Sequence, residues 1–332
     1  MTGLKLPPIG FGTAPLGNLY RAVDDETAKA TITAAIDAGL LYVDTAPYYG
    51  FGLAETRLGQ AIAGSRDVVI STKVGRVLEP LDAIAERDRH GFVDALPFEP
   101  VYDYSRDGIM RSHEGSLKRL GRDRVDILYV HDIGRRVHGA AHDARMSELL
   151  DKGGFAALEE LRDQKAVSAI GVGVNETAVC LELMERVSLD IILIAGRYTL
   201  LEQSPIDDLF PRCAATGTAL VLAGVYNSGL LALGADAPTA HYDYDGVPEA
   251  IRERTRAIER ICAAHDVALP IAALQFVRAH PQAASVIVGL ASPDEVRATM
   301  ANIAAPVPDG LWSDLKTAGL LRADAPIPAR KE

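Results

Sequence analysis

Cysteine, tryptophan and methionine are scarce, at three, one and five residues in a chain of 332. Cys180, Cys213 and Cys262 are odd in number and far apart. That excludes a disulfide framework and fits reduced thiols of a cytoplasmic protein. Uninterrupted apolar stretches of the length a bilayer demands are missing, so no spanning helix is expected. Basic residues are outnumbered, with 34 Lys and Arg against 45 Asp and Glu and a formal net charge of -11. An acidic balance argues against nucleic acid and against a polybasic membrane surface. It leaves room for an anionic cofactor, whose charge is met locally at helix N-termini. The opening MTGLKLPPIGFG has neither the basic nor the apolar segment of a secretory leader. Two further absences matter. The stretch GFGTAPLG has the glycines of a dinucleotide fingerprint at the wrong spacing, which counts against a doubly wound sheet. His138 and His142 lie four apart, but no third ligand and no H-E-x-x-H pattern accompanies them, so no metal is expected.

What is present is alternation. Short β-branched runs such as LLYVD, DVVISTK and VDILYVH are too short for helix and recur between helix-length amphipathic segments. Strands are expected at 9–13, 40–44, 67–72, 125–130, 168–173, 190–195, 219–223 and 285–288. Helices are expected at 25–38, 54–63, 110–120, 154–164, 176–186, 205–215, 249–279 with a break at Pro270, and 293–301. Eight strand–helix units predict a (β/α)8 barrel, an α/β fold, as a single domain over 1–332. Three connections, 74–109, 131–153 and 224–248, are long and each follows a strand. They should lie on the catalytic face, as binding walls or as plain solvated loops.

Four polar residues follow or end separate strands: Asp44, Tyr49, Lys73 and His131. In a parallel barrel their strand ends share one mouth. A free phenol titrates near 10, and a neighbouring ammonium favours the phenolate, so Tyr49 is the general acid/base candidate and Lys73 its activator. Asp44 would hold Lys73, and His131 would orient the reacting oxygen. The residues alone also allow Tyr48 as the functional phenol, Lys73 as a Schiff-base former or a solvent-facing charge, Asp44 as a loop cap, and His131 with Asp132 as a structural pair.

These residues carry a resemblance to the aldo-keto reductases. The D-T-A-x-x-Y-G segment matches Asp44 to Gly50, and the family's catalytic tetrad falls on Asp44, Tyr49, Lys73 and His131. The resemblance implies a barrel, an extended nicotinamide cofactor across its mouth, and no metal. It further implies cofactor contacts at Gly12 and Thr13 in the first loop, at Asp44, and at Asn175 in IGVGVNE for the carboxamide. Two positions depart from the family. Ala195 stands where a glutamine is usual, and Gly224 where a ring-stacking tyrosine is usual; Val225, Asn227 and Ser228 would then line the pyrophosphate. In VGLASPDEV, the adenosine end would meet Gly289, Ala291 and Glu295. A carboxylate there favours the free ribose of NAD over the 2'-phosphate of NADP, with Arg297 as the opposing feature and NADP still possible. Within the family, TAPLGNLY, HDIGRRVHG and AGRYTLL resemble the bacterial aldose 1-dehydrogenases of the L-fucose and D-threo-aldose type, close to pyridoxal 4-dehydrogenase. The implied reaction oxidises the anomeric hydroxyl of a cyclic sugar to a lactone. Oxidation of a pyridoxal-like ring, general aldehyde reduction and a non-catalytic cofactor-binding role are the alternatives. No coiled-coil repeat or symmetric patch stands out, so monomer and homodimer are both open.

Overall fold

Eight short runs of β-branched and small residues form parallel strands that close on themselves. In the computed structural model, which describes residues 5–65 and 67–329, these are β1 (Ile9–Gly12), β2 (Tyr42–Asp44), β3 (Val69–Val74), β4 (Ile127–His131), β5 (Ala169–Val174), β6 (Ile191–Ala195), β7 (Ala219–Ala223) and β8 (Ala283–Gly289). Each pairs with its neighbours in sequence, and β1 closes the ring on β8 in the register Ile9↔Val286 to Gly12↔Gly289. Parallel strands covered on both faces read as continuous apolar runs, as in IILIA and ALVLA. Around them pack α1 (Asp25–Asp37), α2 (Leu53–Ala61), α3 (Arg106–Leu120), α4 (Gly154–Asp163), α5 (Thr177–Met184), α6 (Leu209–Thr216), α7 (Leu269–Arg278) and α8 (Pro293–Ala304). The expected (β/α)8 barrel is therefore the observed one. The opening stretch considered as a leader lies partly outside the described residues.

Strand periodicity decides which side chains reach the interior. Tyr42, Ile127, Tyr129, Ile191, Leu193, Val221 and Ile287 fill the barrel, with the Tyr42 and Tyr129 hydroxyls 3.0 Å apart. Two residues further along the same strands, Asp44 and His131 keep that inward parity and emerge at the C-terminal mouth. Small residues make the space. A Cβ on Gly10 would lie 2.5 Å from Ile287, and one on Gly173 would lie 3.4 Å from the stem of Lys73.

The structure departs from sequence expectation in instructive places. β3 runs two residues later than expected, so Lys73 is inside the strand and its stem is held by the barrel wall. The first half of the expected helix 205–215 is a 3-10 turn, Ser204–Ile206, because Pro205 fits an opening turn and Asp208 caps α6 by accepting from the Leu209 N–H. The long connections are ordered. Arg76–Pro80 pairs antiparallel with Phe98–Tyr102, with a smaller hairpin of Asp88–Arg89 and Phe92–Val93 between them. A helix at His142–Leu150 occupies the second connection, and a last helix, Asp309–Thr317, follows α8. Cys180, Cys213 and Cys262 are buried and unpaired. Among the described residues no single helix is long and apolar enough to cross a membrane.

Candidate active site

Asp44 ends β2, Lys73 sits near the end of β3, and His131 ends β4. Tyr49 lies on the turn after β2, and its placement depends on glycine. The turn Ala14–Gly17 after β1 packs against the Tyr49 turn so closely that a Cβ on Gly17 would stand 2.5 Å from the Tyr49 carbonyl carbon. Gly50, at φ 63, returns the contact: its Cβ would stand 2.5 Å from the Gly17 oxygen. Arg57 of α2 ties down the same first loop by donating to the Leu16 and Val23 carbonyls at 2.6 and 2.7 Å.

The Lys73 ammonium has three protons and three acceptors. It donates to Asp44 Oδ2 at 2.7 Å, to the Thr45 carbonyl at 2.9 Å and to the Tyr49 hydroxyl at 2.8 Å. Ser71 donates to the other Asp44 oxygen at 2.7 Å. Lys73 and Asp44 are buried at 2% and 3% exposure, so neither charge has a comparable alternative in water. The hydroxyl that receives Lys73 is that of Tyr49. The Tyr48 ring instead lies under the Arg76 guanidinium, 3.6 Å from its carbon to the ring centre.

Burial, and then the Asp44 carboxylate, hold the Tyr49 phenol well above its ordinary value, against an opposing pull from Arg76. The expectation that Lys73 would bring the phenol down is thus reversed in this state. The larger reason is burial, which penalises the charged phenolate, and the Asp44 carboxylate adds to it. Burial, reinforced by Arg76 and Lys73, drives the His131 imidazole well below its usual value and keeps it neutral. Its Nδ1 is buried without a partner, while Nε2 stands 3.4 Å from Asp132 Oδ2. The Tyr49 and His131 rings stand perpendicular with centroids 6.1 Å apart. Tyr104 fixes the strand end by donating to the His131 carbonyl at 2.7 Å.

Most of the expected cofactor positions rim this mouth. Gly12 is in register with Gly289, and Thr13 donates from both its amide and its hydroxyl to the Asp44 carbonyl, at 2.9 and 3.1 Å. Asn175 donates to the Ala195 carbonyl at 3.2 Å, joining the ends of β5 and β6. The segment Gly224–Gly229 turns back on itself with φ positive at Gly224, Asn227, Ser228 and Gly229. Gly224 is required there, since a Cβ would stand 2.7 Å from the Gly196 nitrogen. Val225 points into the core, whereas Asn227 donates to the Gly196 carbonyl at 3.3 Å and leaves its own buried Oδ1 without a partner. An orphaned acceptor in a tight turn at the mouth suits a donor such as a ribose hydroxyl and not a pyrophosphate oxygen, which only accepts. Further out, Glu295 accepts from the Ala291 N–H at 2.7 Å and pairs with Arg21 at 2.8 Å. Arg297 turns away to Asp294. The cation beside Glu295 is therefore Arg21, from the first loop, which spacing along the chain does not reveal.

Loop residues also close over the rim. His241 stacks on Tyr20 at 4.2 Å, Asp243 pairs with Arg197 and, at 3.3 Å, with Arg136, and Tyr242 donates to Glu202. His138 and His142 serve separate local bonds, the first with the Tyr104 hydroxyl at 3.0 Å and the second with Ile133 and Glu182.

A closed parallel barrel with its ionisable groups gathered at the C-terminal mouth defines a (β/α)8 enzyme. Comparison with known proteins makes the assignment specific. Residues 8–318 match the model of the aldo/keto reductase family. The chain is 39% identical to pyridoxal 4-dehydrogenase of Microbacterium luteolum and 40% identical to D-threo-aldose 1-dehydrogenase of a Pseudomonas species, covering 96% of both partners in each case. An aldo-keto reductase from Bacillus halodurans in its holo form superposes with a TM-score of 0.72, at 24% identity and over 97% of this chain and 94% of that one, a likeness of fold. The chain belongs to the aldo/keto reductase family. It is an NAD(P)-dependent oxidoreductase acting on CH–OH groups.

Proposed function

We propose that the chain is an NAD-dependent aldose 1-dehydrogenase that oxidises the anomeric hydroxyl of a cyclic sugar to the lactone. The observation that carries this reading is the Lys73 ammonium shared between Asp44 and the Tyr49 hydroxyl, with a neutral His131 across from it. Tyr49, as phenolate, takes the hydroxyl proton. Lys73 stabilises the phenolate, and Asp44 anchors Lys73. His131 donates from Nε2 to the same substrate oxygen and sets its angle. Oxidised nicotinamide, when bound, supplies the acceptor for the hydride leaving C1. Gly12, Thr13, Asn175, Val225, Asn227, Ser228, Gly289, Ala291 and Glu295 would line its path across the mouth. Asn227 offers its free oxygen to a ribose hydroxyl, and Val225 only its backbone. The likeness to D-threo-aldose 1-dehydrogenase supports the sugar assignment, and the Glu295 carboxylate supports NAD.

A second reading has the same tetrad oxidising the 4-position of a pyridoxal-like ring. It is favoured by the similar likeness to pyridoxal 4-dehydrogenase and by the aromatic wall in which Phe92 meets Tyr48 edge-on at 5.3 Å. Initial rates with NAD and NADP against L-fucose, D-arabinose, L-galactose, pyridoxal and a simple alcohol decide the matter. NAD-linked turnover of the three sugars is expected. Preference for pyridoxal would move the substrate to the second reading, and no oxidation of any of them would overturn both.

A further inference from the structure

Two charged residues beside the tetrad have no direct contact with the substrate in the chemistry above. Arg76 opens the first hairpin, is only 6% exposed, and lies between the Tyr48 ring at 3.6 Å and the Tyr102 ring at 4.7 Å. Its guanidinium pairs with Asp132, the residue after His131. Asp132 holds a left-handed backbone, φ 51, which costs a non-glycine residue free energy and needs outside support. That support comes from Arg76 and from the Asp132 N–H, which donates to the Gly173 carbonyl at 3.1 Å. The result is a carboxylate whose Oδ2 stands 3.4 Å from His131 Nε2, without the alignment of a hydrogen bond between them.

We propose that Asp132, fixed by Arg76, determines specificity by accepting a hydrogen bond from the hydroxyl on the carbon next to the one oxidised. The inference rests on the aldose reading above. The reacting oxygen lies between Tyr49 and His131 Nε2. Oxygens on adjacent carbons are a hydrogen-bond length apart, so the next hydroxyl meets the carboxylate beside Nε2. A carboxylate only accepts, so it selects a neutral donor hydroxyl. It repels an ionised oxygen brought near that place, such as the phenolate of a pyridoxal ring, which lies one carbon further from the reacting carbon. Arg76, itself held against two aromatic faces, balances the buried charge.

The test is a cycle of one side chain against one substrate hydroxyl. Wild type and Asp132→Ala are compared on D-arabinose and on 2-deoxy-D-erythro-pentose, which lacks the adjacent hydroxyl. Wild type should favour D-arabinose in kcat/KM by ~100-fold or more, because a site built to bind a hydroxyl rejects the analogue without it. In Asp132→Ala that ratio should fall to near unity, because D-arabinose loses a hydrogen bond that the deoxy sugar never made. If Asp132→Ala does not fold, Arg76→Leu/Asp132→Ala, which leaves no unpaired buried charge, carries the same comparison. An equal loss on both sugars would overturn this inference alone and assign Asp132 to supporting His131. Wild-type oxidation of neither sugar would overturn the aldose reading, and this inference with it.

Discussion

The Lys73 ammonium lies 2.8 Å from the Tyr49 hydroxyl and 2.7 Å from the Asp44 carboxylate, so one buried cation serves both a phenol and a buried anion. Its removal therefore has two separable consequences. Lys73→Met should lower kcat/KM by ~10³-fold or more, the scale of a lost acid–base partner. It should also destabilise the fold by about 3–5 kcal/mol, because Asp44 is left buried and unpaired. In Asp44→Asn/Lys73→Met the denaturation midpoint should recover in part while activity stays lost. Recovery of both would contradict the assignment of Lys73.

The pH dependence follows from the direction of the Tyr49 shift. Burial and Asp44 raise that phenol, so the phenolate is the minor form at neutral pH. Sugar oxidation consumes the phenolate, so its rate should climb with pH by about one decade per unit until Tyr49 titrates. Carbonyl reduction consumes the protonated phenol and should be flat over the same range. His131, held neutral far below its usual value, should add no inflection near neutrality. Stopped-flow single turnovers in both directions check this. A limb near the ordinary histidine value that vanishes in a His131 variant would contradict it.

The contact between Gly17 and Gly50 predicts a coupled loss of stability and activity. A Cβ on Gly17 would strike the Tyr49 backbone. Gly17→Ala should cost about 1–3 kcal/mol by overpacking and should lower kcat, because the turn that yields is the one carrying Tyr49. Gly64→Ala is the control: φ is +85 but nothing lies within 4 Å of the added Cβ. It should cost only backbone strain, about 1–2 kcal/mol, and leave kcat unchanged. Thermal melts and steady-state rates on the same samples separate clash from strain.

Cofactor choice should turn on Arg21 and Glu295. Arg21 is exposed and Glu295 half-buried, and their pairing occupies the cation that a 2'-phosphate would need. Glu295→Gln removes the repelling charge and releases Arg21, so kcat/KM for NADP relative to NAD should rise by roughly tenfold. Adding Arg21→Ala should abolish that gain. Titration of cofactor fluorescence quenching, with each nucleotide in turn, reads the same ratio as binding.

The barrel and the strand-end placement of Asp44, Lys73 and His131 were legible because each rests on local signals. Apolar runs between amphipathic segments set the strand count, and strand-end polar residues are visible as breaks in those runs. Arg76 and Asp132 carried no comparable signal. KVGR and HDIG look like ordinary strand exits, and what sets them apart is that two exits converge from different strands. The hairpin at Arg76–Pro80 and Phe98–Tyr102 was equally hidden. Its strands are half-exposed, contain Pro80 and Pro100, and lack a clean alternation.

Sequence by itself determined a parallel barrel, and the residue types able to exchange a proton at its mouth, because side-chain parity and hydrophobic period act over a few residues. Only the tertiary structure decided which phenol meets Lys73, which arginine faces Glu295, and which way the Tyr49 phenol shifts. Those outcomes depend on burial and on charges brought from distant segments, and a buried charge acts through its whole surroundings. Lys73 reads the same in sequence whether or not Asp44 stands beside it; in the fold, burial first and then Asp44 raise the phenol that Lys73 meets.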